Sequence, residues 1–171
     1  MSSDKNTTTS RFHWDKTVIA ITVFTLTLLI APFVWLIPLT DTVSVVTCAA
    51  IVVCIAPCFA LVPIRLRIDD RSLCLKKAVG QIIIPLHTIR SIETLAPDAL
   101  AGSIRTFGSG GFLGYLGHFK NKKLGHYILF ATERRHLLKV ATDRKTYVFS
   151  CRDGEKFRQL FEAFAATRPT P

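Results

Sequence analysis

Three features of the sequence predict an α+β chain in which an N-terminal helical hairpin precedes an antiparallel β-barrel or sandwich capped by a C-terminal helix. Two long uncharged apolar runs occupy the front, apolar and charged residues alternate behind them, and an aromatic stripe at helical spacing lies near the end. The 171 residues leave room for one ordinary domain besides the hairpin. Apolar residues make up 49% of the chain and mean hydropathy is +0.34, with the excess concentrated in the first third.

The first run, Thr17 to Leu39, is 23 residues without a charge, 14 of them Leu, Ile, Val or Phe. The second, Val43 to Ile64, is 22 residues rich in Val, Ile, Ala and Cys. At about 1.5 Å of helix per residue both exceed a hydrocarbon core of roughly 30 Å. Only Thr40-Asp41-Thr42 separates them, so they are expected to form an antiparallel transmembrane hairpin over 17–39 and 43–64. Arg11 and Lys16 before the first run, and Arg65, Arg67 and Arg71 after the second, would place both ends on the cytoplasmic side. Residues 1–16 then form a cytosolic tail, and the expected location is multi-pass in a cytoplasmic membrane. Pro57 could kink the second span. Neither run carries an ionisable side chain of the kind that marks an ion route, so the hairpin reads as an anchor, with a small transporter or pore component as the alternative.

After Ile64 the period changes to two. Ile64, Leu66 and Ile68 alternate with Arg65, Arg67 and Asp69, and Asp69-Asp70-Arg71 turns the chain into a strand through Leu73 and Leu75. Further strands are expected at Gln81–Ile84, Ile89–Leu95, Tyr127–Thr132, Leu137–Thr142 and Thr146–Ser150, the last pair joined through Asp143-Arg144-Lys145. Phe157, Leu160, Phe161 and Phe164 at i, i+3, i+4 and i+7 mark the closing helix, and Ser150 and Asp153 stand at capping-box spacing before it. The folded domain is expected over 65–167, with 168–171 a short tail.

Seven of the nine glycines fall between Gly102 and Gly125, interleaved with Phe107, Phe112, Tyr115 and Phe119. This pattern suggests a structured loop, since glycine permits positive φ and close backbone approach. Leu113 stands where a dinucleotide fingerprint would need its third glycine, and no G-K-[ST] occurs. A backbone anion nest beside basic side chains remains open, which makes Arg105, Gly108, Gly110, Gly111, Lys120, Lys122 and Lys123 the candidate binding residues.

The whole formal charge of +10 lies on residues 65–171. Such a charge suits an anionic surface; nucleic acid is a weaker candidate, because the aromatics fit a core better than a stacking platform. Cys48, Cys54 and Cys58 lie in the apolar run, and Cys74 and Cys151 stand apart, so the cysteines support neither a disulfide framework nor a zinc site. His13, His87, His118, His126 and His136 are dispersed, and no nucleophilic triad or paired-carboxylate pattern is legible. No catalytic residue, metal or cofactor is expected.

The run Arg11-Phe12-His13-Trp14-Asp15-Lys16 before the hairpin, Arg105-Thr106-Phe107-Gly108-Ser109-Gly110-Gly111-Phe112-Leu113-Gly114-Tyr115-Leu116-Gly117, Leu124-Gly125 and Phe130-Ala131-Thr132 together resemble the bacterial PH-domain family of small two-helix membrane proteins. The resemblance implies a pleckstrin-homology-like (PH-like) fold, a bacterial origin and no established catalysis. The expected function is a membrane-anchored interaction module that recognises a protein partner, a second copy of itself or an anionic lipid headgroup. The turn Asp69-Asp70-Arg71 is too short for the usual basic headgroup loop, which puts a protein partner or self-association at least level with a lipid ligand.

Overall fold

The alternation that begins at Ile64 builds two sheets whose facing sides share one core. The computed structural model describes residues 7–36 and 42–166. The first sheet contains β1 (Thr8–Arg11), β2 (Pro63–Ile68), β3 (Ser72–Lys77) and β4 (Gln81–Pro85), antiparallel in the order β1-β2-β3-β4. The second contains β5 (Ile89–Leu95), β6 (Ile104–Gly111), β7 (Gly114–Asn121), β8 (Gly125–Ala131), β9 (Leu137–Thr142) and β10 (Thr146–Ser150), in the order β5-β9-β10-β8-β7-β6. Its neighbours are antiparallel except β10 and β8, which run parallel. The expected all-antiparallel arrangement therefore holds for every pair but one.

Leu66, Leu73 and Leu75 of the first sheet meet Leu116, Phe130, Leu138, Val140 and Phe149 of the second. The helix α3 (Gly154–Ala166) covers the same core with buried Phe157 and Phe161, while Leu160 and Phe164 pack at its margin. The aromatic stripe thus does what its spacing predicts. A smaller cluster of Leu100, Phe119, Tyr127, Leu129, Leu137 and Val148 forms on the opposite face of the second sheet, because side chains along a strand alternate between faces. The segment around the 3-10 turn Pro97–Leu100 lies over it.

The capping box does not form. Ser150 Oγ accepts the Thr132 N–H at 3.0 Å, which ties β10 to the end of β8. The Asp153 carbonyl accepts the Lys156 and Phe157 N–H groups, and its carboxylate takes the Ser10 hydroxyl at 3.1 Å and the Lys156 ammonium at 3.0 Å. Asp153 therefore joins β1 to α3.

The strand β1 has no apolar alternation to announce it, yet it pairs along β2 from Thr8↔Ile68 to Arg11↔Arg65. Two helices, α1 (Lys16–Leu36) and α2 (Thr42–Ala60), connect these paired strands. The domain holds the chain just before α1: Thr132 donates its hydroxyl to the His13 carbonyl at 2.7 Å and accepts the Asp15 N–H at 3.0 Å.

Here the sequence expectation needs correcting. Among the described residues no helix is long and apolar enough to cross a membrane, so the transmembrane hairpin over 17–39 and 43–64 and the multi-pass membrane location are not supported. A pore built from that hairpin loses the same premise. The physical reason lies partly in where the helices end and what they touch. Val18 and Thr22 in the first turns of α1 are buried, and Thr22 Oγ1 accepts the Leu113 N–H at 2.9 Å. The helix α2 stops at Ala60, with Pro57 in its last turn, and the chain is already extended by Pro63. Phe59 meets Phe112 edge-to-face with ring centroids 6.4 Å apart. Part of each apolar run therefore packs on protein, while positions 37–41 lie outside the described residues. Val23, Phe24 and Leu28 of α1 and Val45, Val52 and Val53 of α2 remain exposed.

Phe157 is fully buried at the junction of α3 with both sheets. Phe157→Ala is expected to cost about 3–5 kcal/mol in a urea unfolding titration. The Lys156 hydrogen bond holds the Asp153 carboxyl below its ordinary value, against the opposing effect of burial and with help from Ser10. A depressed carboxylate pKa adds stability above the range where aspartate titrates in the unfolded chain, and that stability is lost as pH falls through the folded value. Asp153→Asn should therefore lower the melting temperature at neutral pH and leave it unchanged once wild-type Asp153 is protonated.

Candidate binding surface

The glycine-rich segment is a β-hairpin rather than a loop. Its strands β6 and β7 pair from Ile104↔Lys120 to Gly111↔Gly114, with a register shift between Arg105 and Phe107. At the centre Gly108 opposes Gly117, with φ of 116° and 119°. A Cβ on Gly108 would stand 2.0 Å from the Leu116 carbonyl oxygen, and one on Gly117 would stand 2.3 Å from that of Phe107. Only hydrogen fits on either α-carbon. At the tip, Leu113 has a φ of 57°, unusual for a branched residue, and its N–H donates to Thr22 of α1.

This hairpin leaves β6 as the edge of the second sheet, exposed over 104–108 and packed toward its tip on α1, where Ser109 and Gly111 are buried and Gly111 lies beside Ile21. The other edges are less open. The edge strand β1 is four residues long and anchored to α3 through Ser10 and Asp153, β4 is five residues ending in Pro85, and β5 packs against α3. On β6 the large side chains Ile104 and Phe107 are exposed, at 71% and 73%. A bulge at the register shift interrupts the ladder but places no charge on the edge beyond Arg105.

Two clefts meet at Phe107. One of about 290 Å³ is apolar and lies between the end of α2 and the hairpin, lined by Cys54, Pro57, Cys58, Leu61, Phe107 and Leu116. The other, of about 300 Å³, is lined by Phe107 and Ile128 with His118, His126, Arg144 and Lys145. The last two come from the turn between β9 and β10, which sequence inspection read only as a turn. Their register gives the link: Tyr147 aligns with Ile128, and Ile128 aligns with His118.

The predicted binding residues do not gather at one point. Arg105 pairs with Phe119 and lies on the face of the smaller cluster, whereas Lys120 and His118 alternate to the other face. Lys123 forms an exposed ion pair with Asp98 at 2.8 Å, and its hydrogen bond holds the Asp98 carboxyl below its ordinary value. Lys122 is exposed in the turn after β7. Gly108, Gly110 and Gly111 belong to a paired strand, so their backbone groups do not form the loop-type nest that the sequence suggested.

Sequence inspection also missed Arg134. Its guanidinium carbon stands 5.1 Å above the Tyr115 ring centroid, in a cleft of about 350 Å³ shared with Arg105, Ser103 and Tyr127. A basic residue just after Thr132 carries no pattern in the sequence; its position follows from the end of β8 lying beside β7, where Ala131 aligns with Tyr115. Tyr127 donates to Ser103 Oγ at 2.6 Å, and burial raises its phenol pKa against the opposing effects of that bond and of Arg134.

Of the remaining titratable groups, His136 Nδ1 lies 3.1 Å from the buried Glu133, which Arg152 also approaches at 3.4 Å. Cys151 is buried, and desolvation pushes its thiol up to about 11, so thiolate chemistry at neutral pH is not available to it. Among the described residues no three His, Cys, Asp or Glu side chains are grouped to hold a metal ion.

The family described as "Bacterial PH domain" matches residues 64–164, the two sheets after β1 together with most of α3. No curated protein and no solved structure matches the chain.

Gly117→Ala is expected to destabilise the fold by about 1–3 kcal/mol from backbone strain alone, with the carbonyl clash adding to it. Gly125→Ala is the comparison: it also has positive φ, but its Cβ would meet nothing within 4 Å. Thermal melts of the two variants should place Gly117→Ala well below Gly125→Ala.

Proposed function

The chain belongs to the bacterial PH domain family, and we propose that it is a binding module that takes an extended, acidic segment of a protein partner onto the free edge of β6. The observation that carries this reading is the unpaired edge of β6, exposed over 104–108 with Phe107 at its middle. A strand with unpaired N–H and C=O groups is a template for a further strand, in which main-chain bonds supply affinity and alternate side chains supply specificity.

Charge selects the kind of segment. Arg105 stands on the edge strand, and Arg144 and Lys145 line the cleft that Phe107 shares. With a formal charge of +10, the domain repels basic or identical segments and attracts acidic ones. The apolar cleft beside Phe107 offers a place for one uncharged side chain of the added strand. This is binding rather than catalysis, and it requires no cofactor.

The test uses the full chain with two end-blocked hexapeptides, one alternating valine with glutamate and one alternating valine with lysine. The acidic peptide should bind at least tenfold more tightly at low ionic strength, and added salt should weaken it. Phe107→Ser should reduce that binding at least tenfold with an unchanged melting temperature, since the side chain is exposed. Equal binding of the two peptides, or full binding by Phe107→Ser, would contradict the proposal. So would a dimer in sedimentation equilibrium without peptide that Phe107→Ser dissolves, because the edge would then belong to a second copy.

A further inference from the structure

The cleft on the other face of β6 and β7 has a chemistry of its own. Its walls carry Arg105 and Arg134, its floor includes Leu100, Phe119 and Leu129, and Ser103, Tyr115 and Tyr127 complete the lining. The guanidinium of Arg105 lies along Gly110: one of its terminal nitrogens is 3.2 Å from where a Cβ would stand. Gly110 aligns with Tyr115, and Arg134 stands over the Tyr115 ring. Two cationic groups are thus held about one aromatic side chain, and among the described residues neither forms an ion pair.

Like charges brought together without a counter-charge repel, and an anion placed between them relieves the repulsion. Guanidinium groups bind phosphate and carboxylate through paired N–H donors, and the ring beneath Arg134 fixes one of the two planes. A side chain at Gly110 would crowd the Arg105 guanidinium in this position. The volume, about 350 Å³, is in the range of small-molecule sites, and the partly exposed Tyr115 offers its ring to the uncharged body of a ligand.

We infer that this cleft binds a small organic oxyanion, with its phosphate or carboxylate head between Arg105 and Arg134 and its apolar body against the partly exposed Tyr115. The site shares Arg105 with the edge of β6, but Arg134 belongs to the cleft alone and Phe107 to the edge alone, so variants at those two positions tell the two proposals apart. Its chemistry is also narrower than that of a basic surface, because a free ion lacks the body that Tyr115 would contact.

The probes are phenyl phosphate, benzoate and inorganic phosphate, titrated into the full chain by calorimetry. Phenyl phosphate should bind at least tenfold more tightly than inorganic phosphate, and benzoate should compete with it. Arg105→Gln and Arg134→Gln should each weaken phenyl phosphate at least tenfold without changing the melting temperature, since both side chains are exposed. Lys120→Gln, on the other face, and Phe107→Ser, on the edge, should leave it unchanged. Equal affinity for phenyl phosphate and inorganic phosphate would overturn the inference, as would an equal loss in Lys120→Gln, because either result describes diffuse attraction to a basic domain.

Discussion

The contact between β6 and β7 at Gly108 and Gly117 admits no side chain, and the arrangement of the binding surface follows from it. Close backbone approach joins two strands that would otherwise be separated by Cβ atoms. The hairpin can then present its tip to α1 and its outer edge to solvent. A tip held by Thr22 and Phe59 from the helices fixes the direction in which β6 runs. The edge is consequently rigid at one end, which lowers the ordering cost of adding a strand to it.

The same hairpin separates two chemically different surfaces by strand alternation. One face of β7 carries Leu116, His118 and Lys120; the other carries Tyr115, Gly117 and Phe119. The first opens toward the core between the sheets and gains Arg144 and Lys145 from a neighbouring turn. The second is covered by the segment around Pro97–Leu100 and gains Arg134 from the end of β8. A basic composition that looks uniform along the chain is thereby divided into an extended edge and a confined cleft.

Much of the domain was legible because its signals are local. The turns at Asp69-Asp70-Arg71 and Asp143-Arg144-Lys145, the strands about them, and the Phe157-Leu160-Phe161-Phe164 stripe all lie where periodicity places them. What was not legible depends on distant partners. The polar strand Thr8–Arg11 acquires its conformation from β2, more than fifty residues later. The glycines read as a loop because their composition is that of loops, while the register that makes them a hairpin resides in both strands together. Uncharged length suggested lipid as the solvent of the two apolar runs, but length does not record that Val18 is buried or that Thr22 and Phe59 meet Leu113 and Phe112 of the hairpin. Arg134 and the lysines illustrate the same limit: nearness in sequence put Lys120, Lys122 and Lys123 together, whereas strand alternation and the bond to Asp98 part them.

The central claim is that β6 is a docking edge. Nuclear Overhauser contacts between the full chain and an isotope-labelled peptide of alternating valine and glutamate test it most directly. The account predicts cross-strand contacts from peptide backbone protons to those of residues 104–110. Contacts to β4, or to side chains alone with no backbone pairing, would contradict it.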